Sequence, residues 1–291
     1  MAKLTLFNYD RPGKGIRKDA PQKKGLALYF DIFFRRFWKL ITLNLLYVIA
    51  SLPALIIAWY ISFHFVAWSA TLAEMNIEAN VVPLVILSII IGIILLLVCG
   101  TGPATAAMFY VLRKYVGDSH AWPASDFLEH FKVNFKQGLA AYFIAIATSM
   151  CLLFSFNFYN YTLTGISAAF FRATLLTAML LFIFVQFYVY RLMACYKMKL
   201  RHIYKSALIL AIAQFGLNIA TVCVGGLIAF IGLFLIAGMS LGGYIFLGLF
   251  MFSLVYFTQI FMTDIAIRKA LRDPSVVTDL PEEYVKDEMF E

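Results

Sequence analysis

The chain has 291 residues, of which 63% are hydrophobic and 14% charged, with a formal net charge of +8. A soluble domain is nearer half apolar and a quarter charged, so this composition excludes an ordinary soluble fold. It points instead to an all-α, polytopic helical membrane protein whose partner is the lipid bilayer.

Residues 1–24 form a basic tail with seven Lys or Arg against two Asp. The tail is long and polar, and the first apolar run exceeds a signal-peptide core, so no cleavable leader is expected. A single transmembrane domain is expected over 25–272, entered through "ALYFDIFFRRFWKL" (27–40), whose aromatic and charged residues occupy different helical faces. No Asp, Glu, Lys or Arg occurs in 40–66, 81–112, 137–171, 173–190 or 206–263. A crossing needs about 20 apolar residues, and the chain therefore reads as six spans: about 40–66, 81–112, 137–160, 173–190, 215–237 and 241–263. Gly238, Ser240, Gly242 and Gly243 supply the turn inside the longest block. Residues 273–291 carry seven Asp or Glu against Lys286 and form an acidic tail.

The basic residues set an orientation. Segments 1–39, 113–136, 191–205 and 268–291 hold 23 of the 24 Lys and Arg, and the three intervening connections hold only Arg172. Under the positive-inside rule both termini lie in the cytoplasm of a multi-pass protein of the cell membrane. The same rule accounts for the positive charge, so no nucleic-acid partner is implied.

The second block is the unusual one. Its 32 residues would run to about 48 Å as one straight helix, and Gly100-Thr101-Gly102-Pro103 sits inside it. Proline removes a backbone donor, and such backbone is tolerated in a membrane only where neighbouring groups restore the hydrogen bonds. Thr101 and Thr105 are candidates for that, and Asn44 and Gln186 are further candidates for interhelical polar contacts. Gly100, Gly102 and Pro103, together with Pro53 in the first span, are read as sites of kinking and close helix packing. A hinge or ligand-lining break of the transporter kind is the other reading.

In "WPASDFLEHFKVNFKQG" (122–138), Pro123 with Ser125 or Asp126 marks a helix start. Asp126, Phe127, Phe131, Asn134 and Phe135 then form a candidate cytoplasmic platform. "MKLRHIYKSALIL" (198–210) has the same character. Each cytoplasmic helix feeds a transmembrane hairpin, giving three units. These helices either anchor the spans in the headgroup layer or form a surface for a partner.

"LNLLYVIASLP" (43–53), "GTGPATAAMFYVLRKY" (100–115), "DFLEHFKVNFKQG" (126–138) and the tail "FNYDRPGKGIRKDAP" (7–21) together resemble the YesL-like family of bacterial integral membrane proteins. The resemblance covers most of residues 7–140, beyond which only hydropathy matches. It implies a compact helical bundle of unsettled activity that accompanies carbohydrate ABC importers and polysaccharide-degrading systems in Gram-positive bacteria. Importer subunits are the partner it implies.

Catalytic signals are absent from the sequence. It holds no HExxH, no nucleophile elbow and no phosphate-binding glycine loop, and no cofactor or metal is expected. Cys99, Cys151, Cys195 and Cys223 lack paired spacing and read as small apolar fillers. Asp126, Glu129 and His130 on an interfacial helix read as solvent-facing, as do Glu74 and Glu78 on the outer side. No expected span carries an interior charge, which counts against an ion-coupled carrier. Neither 113–136 nor 191–205 contains the EAA loop by which carbohydrate ABC permeases seat on their ATPase. The expected function is a non-catalytic accessory or regulator of carbohydrate import; the alternative is an autonomous carrier or channel for a neutral solute.

Overall fold

A run without proline or glycine from Leu26 to Leu52 favours one unbroken helix, and the chain takes it further than the hydropathy suggests. In the computed structural model, which describes residues 25–72, 90–94, 97, 100–117, 119–196, 198–238 and 241–270, helix α1 spans Leu26–Leu72 and carries Pro53 within it. The first amphipathic stretch is therefore not a separate interfacial helix but the leading turns of the span. Exposed Trp38 and, further on, exposed Trp59 and Tyr60 stand about 33 Å apart along the helix. That is the thickness of the hydrocarbon core, with aromatic residues at both borders.

The remaining helices are α2 (Pro103–Val116), α3 (Pro123–Val133), α4 (Phe135–Thr162), α5 (Gly165–Cys195), α6 (Leu200–Ala213), α7 (Phe215–Ala237), α8 (Leu241–Phe246) and α9 (Phe252–Ala270). A π-helical turn, Leu247–Met251, joins α8 to α9. Five runs are long and apolar enough to cross a membrane: α1, α4, α5, α7 and the continuous α8–α9 segment. The protein is an all-α polytopic membrane protein.

The block 81–112 is not one continuous helix. Residues 90–94 are helical, but the helix ends before Gly100, and Pro103 opens a new one. Residues 81–89 lie outside the described residues, as do both tails and Glu74 and Glu78. The fourth span also differs from 173–190. It begins at Gly165, so Arg172 lies within α5 rather than in a connection, with its side chain exposed. A long basic side chain can reach outward from a helix end, and a charge is therefore a poor marker of where this helix starts.

The core is built around α2, which packs against α1, α3, α4, α5 and α9. Ala106, Ala107, Met108, Phe109, Val111, Leu112 and Tyr115 are fully buried there, against Tyr47, Tyr188, Val189, Phe257 and Ile260. Within lipid, apolar burial alone does not draw helices together, and close packing and hydrogen bonds must do so. The alanine face of α2 supplies the first of these.

Candidate functional site

Gly100 and Gly102 adopt φ of 68° and 69°, a region costly for residues with a Cβ. Space demands glycine as well. A Cβ on Gly100 would lie 2.6 Å from Cε2 of Tyr190 and 2.8 Å from Oγ1 of Thr105. One on Gly102 would lie 2.7 Å from the carbonyl oxygen of Gly138. Reciprocally, a Cβ on Gly138 would lie 2.7 Å from the nitrogen of Pro103. Two backbones, one at the start of α2 and one in the first turn of α4, thus meet at a Gly–Gly contact.

Pro103 occupies the first turn of α2, where a missing N–H removes nothing the helix needs. The motif is a break and restart, not a kink within a helix. Its polar groups are satisfied by hydroxyls. The Thr101 N–H donates to Thr105 Oγ1 at 2.7 Å, and the two threonine hydroxyls lie 3.2 Å apart. Ser51 Oγ pairs with Thr101 Oγ1 at 3.0 Å. The Tyr47 hydroxyl sits 3.4 Å from Thr105 Oγ1 and 3.1 Å from the Tyr256 hydroxyl. This neutral network ties α1, α2 and α9 together, and its members are buried.

A second tie lies one turn earlier on α1. Asn44 Nδ2 donates to the carbonyls of Gly248 at 2.6 Å and Leu247 at 3.2 Å, and its Oδ1 accepts from the Ser253 N–H at 2.8 Å. Where α-helical register gives way to π and back, backbone groups lose their helical partners. Asn44 takes up those groups. Pro53 remains within α1, and the Tyr142 hydroxyl donates to the carbonyl of the next residue, Ala54, at 3.2 Å. Gln186 differs from expectation. It is 2% exposed, and neither amide atom has a hydrogen-bond partner among the described residues.

The platform residues separate into two groups. Phe127 is 1% exposed and Asn134 is buried, so both hold the chain down and neither faces outward. Asn134 forms the turn between α3 and α4 and donates from Nδ2 to the His130 carbonyl at 3.1 Å. Phe131 stacks on Phe127 and meets Phe135 edge-on, and Phe135 is exposed. Asp126 Oδ2 accepts from Lys114 Nζ at 3.1 Å and from the Trp122 N–H at 3.0 Å, which caps α3. His130 stacks face to face on Tyr110. Burial pushes its pKa below the usual histidine value, and nearby Lys114 adds to that. The Asp126, Glu129 and His130 group is thus partly committed to holding α3 on α2.

Sequence reasoning missed an ion pair. Arg191 is fully buried near the end of α5 and donates from Nη2 to Asp264 Oδ1 at 2.9 Å; Nη1 also meets Cys195 Sγ. Arg268 Nε donates to the other oxygen, Oδ2, at 2.8 Å. Both Arg191 and Asp264 adjoin expected span ends, and each read as the first residue of a connection. The available signal was their opposite charge at abutting positions, with no polar spacer between either charge and its span.

Residues 33–156 match a protein family described as "Protein of unknown function, DUF624". The matched stretch runs from α1 into α4 and contains the Gly-Thr-Gly-Pro break, Asn44 and Gly138, but not Tyr190, Arg191, Tyr256 or Asp264. No curated protein and no solved structure matches the chain.

Proposed function

We propose that this protein is a non-catalytic membrane accessory that seats a transmembrane helix of a carbohydrate importer. The observation that carries the reading is a half-open apolar cleft of about 330 Å³ between α5, α7, α9 and the side chains of Ile94 and Leu97. Gly225, Gly226 and Ala229 line its α7 wall, and a Cβ on Gly226 would meet nothing within 4 Å. Small residues on an open face allow another helix backbone to come close, which is the main source of helix association in lipid. The interior supports the same reading, because the Tyr47, Ser51, Thr101, Thr105 and Tyr256 hydroxyls pair with one another, which leaves them poor lining for a solute path. The importer itself comes from the resemblance to YesL-like proteins.

The test places a photo-crosslinking amino acid at Gly226 in native membranes. Crosslinking to the importer's permease subunit is expected, and Gly226→Leu should reduce co-purification of that subunit at least tenfold. Solute-specific flux through liposomes holding the purified protein alone, with no permease recovered, would replace the accessory by an autonomous carrier.

A further inference from the structure

Helices α4 and α6 leave the same border of the bundle side by side. Gln137 Nε2, in the first turn of α4, donates to the Met198 carbonyl at 2.7 Å. The Tyr204 hydroxyl, near the start of α6, donates to the Ala141 carbonyl at 3.4 Å. Residues 137 and 141 are thus level with 198 and 204, and the two helices run in the same direction. Each presents an exposed stripe at helical spacing. On α6 it is Arg201, Lys205, Leu208 and Ile212; on α4 it is Lys136, Leu139 and Phe143. In both stripes the cations come first and apolar residues follow.

Local sequence supplies those cations with no counter-charge. Among the described residues, the side chains of Lys136, Arg201 and Lys205 form no ion pair and no hydrogen bond. No Asp or Glu occurs anywhere in 130–171 or 191–263, and the connection 196–199 adds only Lys197 and Lys199 to the charge. Asp126 is held by Lys114, and Asp264 by Arg191 and Arg268. Glu129 has Lys132 three residues on, on the same side of α3. An acidic soluble partner would use the cations alone. A cationic head continued by an exposed apolar stripe suits a molecule with an anionic head and hydrocarbon chains. Lys and Arg also lay their stems along apolar surface while holding the charge at headgroup level.

We infer that the α4–α6 face binds an anionic phospholipid, with its phosphate among Lys136, Arg201 and Lys205 and an acyl chain along Leu208, Ile212 and Phe143. The inference does not depend on the importer reading. Native mass spectrometry of the full-length protein, equilibrated in detergent with equimolar phosphatidylglycerol and phosphatidylcholine, counts the lipid retained. At least fivefold preference for phosphatidylglycerol is expected. Lys136→Gln, Arg201→Gln and Lys205→Gln together should abolish it. Lys39→Gln, Arg172→Gln and Lys269→Gln together remove the same charge away from this face and should leave it intact. Lys205→Gln alone, on an exposed side chain, is the variant least able to disturb folding and should lose at least half of the preference. Inorganic phosphate, compared with chloride at equal ionic strength, should not displace the lipid; displacement would assign the cations to a soluble anion. Equal retention of the two lipids, or a preference that survives the first triple substitution, would overturn the site. So would carbodiimide crosslinking of Lys136 or Lys205 to the acidic tail 273–291 without any lipid preference.

Discussion

At Gly102 two separate constraints fall on one residue: a backbone conformation that disfavours any Cβ, and a carbonyl of Gly138 where that Cβ would sit. Gly138 bears only the second, because it lies in a helix. The pair can therefore be taken apart. Gly138→Ala should destabilise the detergent-solubilised protein by about 1–3 kcal/mol, the usual range for overpacking. Gly102→Ala should cost more, since backbone strain adds roughly 1–3 kcal/mol. Thermal unfolding measures both, and an unchanged melting temperature for Gly138→Ala would show that the backbones do not touch. Gly102 was legible in the sequence as a point of close approach. Gly138 was not, because a glycine early in a helix shows no purpose until the element it faces is known.

Among the elements, the π-helical turn between α8 and α9 depends on a residue about 200 positions earlier. Asn44 offers a donor to two of its carbonyls and an acceptor to the Ser253 N–H. Asn44→Leu keeps the volume and removes all three bonds. It should cost about 1–2 kcal/mol, judged from buried groups left unpaired and from interhelical bonds measured in membranes. Asn44→Asp keeps the acceptor but sets an oxygen against the Leu247 and Gly248 carbonyls in a buried site, so it should cost at least as much as Asn44→Leu. If both variants melt with the parent, the turn is held by packing alone. Element boundaries were legible wherever glycine or proline marks them: the expected span 215–237 coincides with α7, and Pro123 does open α3. They were hidden where charge was taken as the marker, as at Arg172 and Arg191, because helices here run on past the point where apolar composition ends.

For the molecule as a whole, the orientation expected from the distribution of Lys and Arg would place the ends of α2 and α9 on the cytoplasmic side. Thiols introduced at two exposed positions test it. Gly165→Cys, at the first residue of α5, should react in intact cells with a membrane-impermeant reagent, and Ser119→Cys should react only after permeabilisation. The reverse pattern would invert the protein. The bundle's class and most of its spans could be read from composition alone. The Arg191–Asp264 pair and the burial of α2 could not, because both arise from contacts between distant parts of the chain. A buried ion pair that loses one partner typically costs 3–5 kcal/mol, so this unseen contact ranks with the largest single terms.

The placement of α2 also bears on how the protein is made. Thr105 is synthesised long before Tyr190 and Tyr256, which lie against the same break. At about 5–20 residues per second, the roughly 150 residues separating Thr105 from Tyr256 occupy the ribosome for about 8–30 s. During that interval the Thr105 hydroxyl and the alanine face of α2 have no finished cavity to enter. The small, buried face of α2 must wait without its final neighbours until the last helix is made. Loss of α9, or a premature stop before it, would therefore leave α2 as a ready target for membrane quality-control proteases.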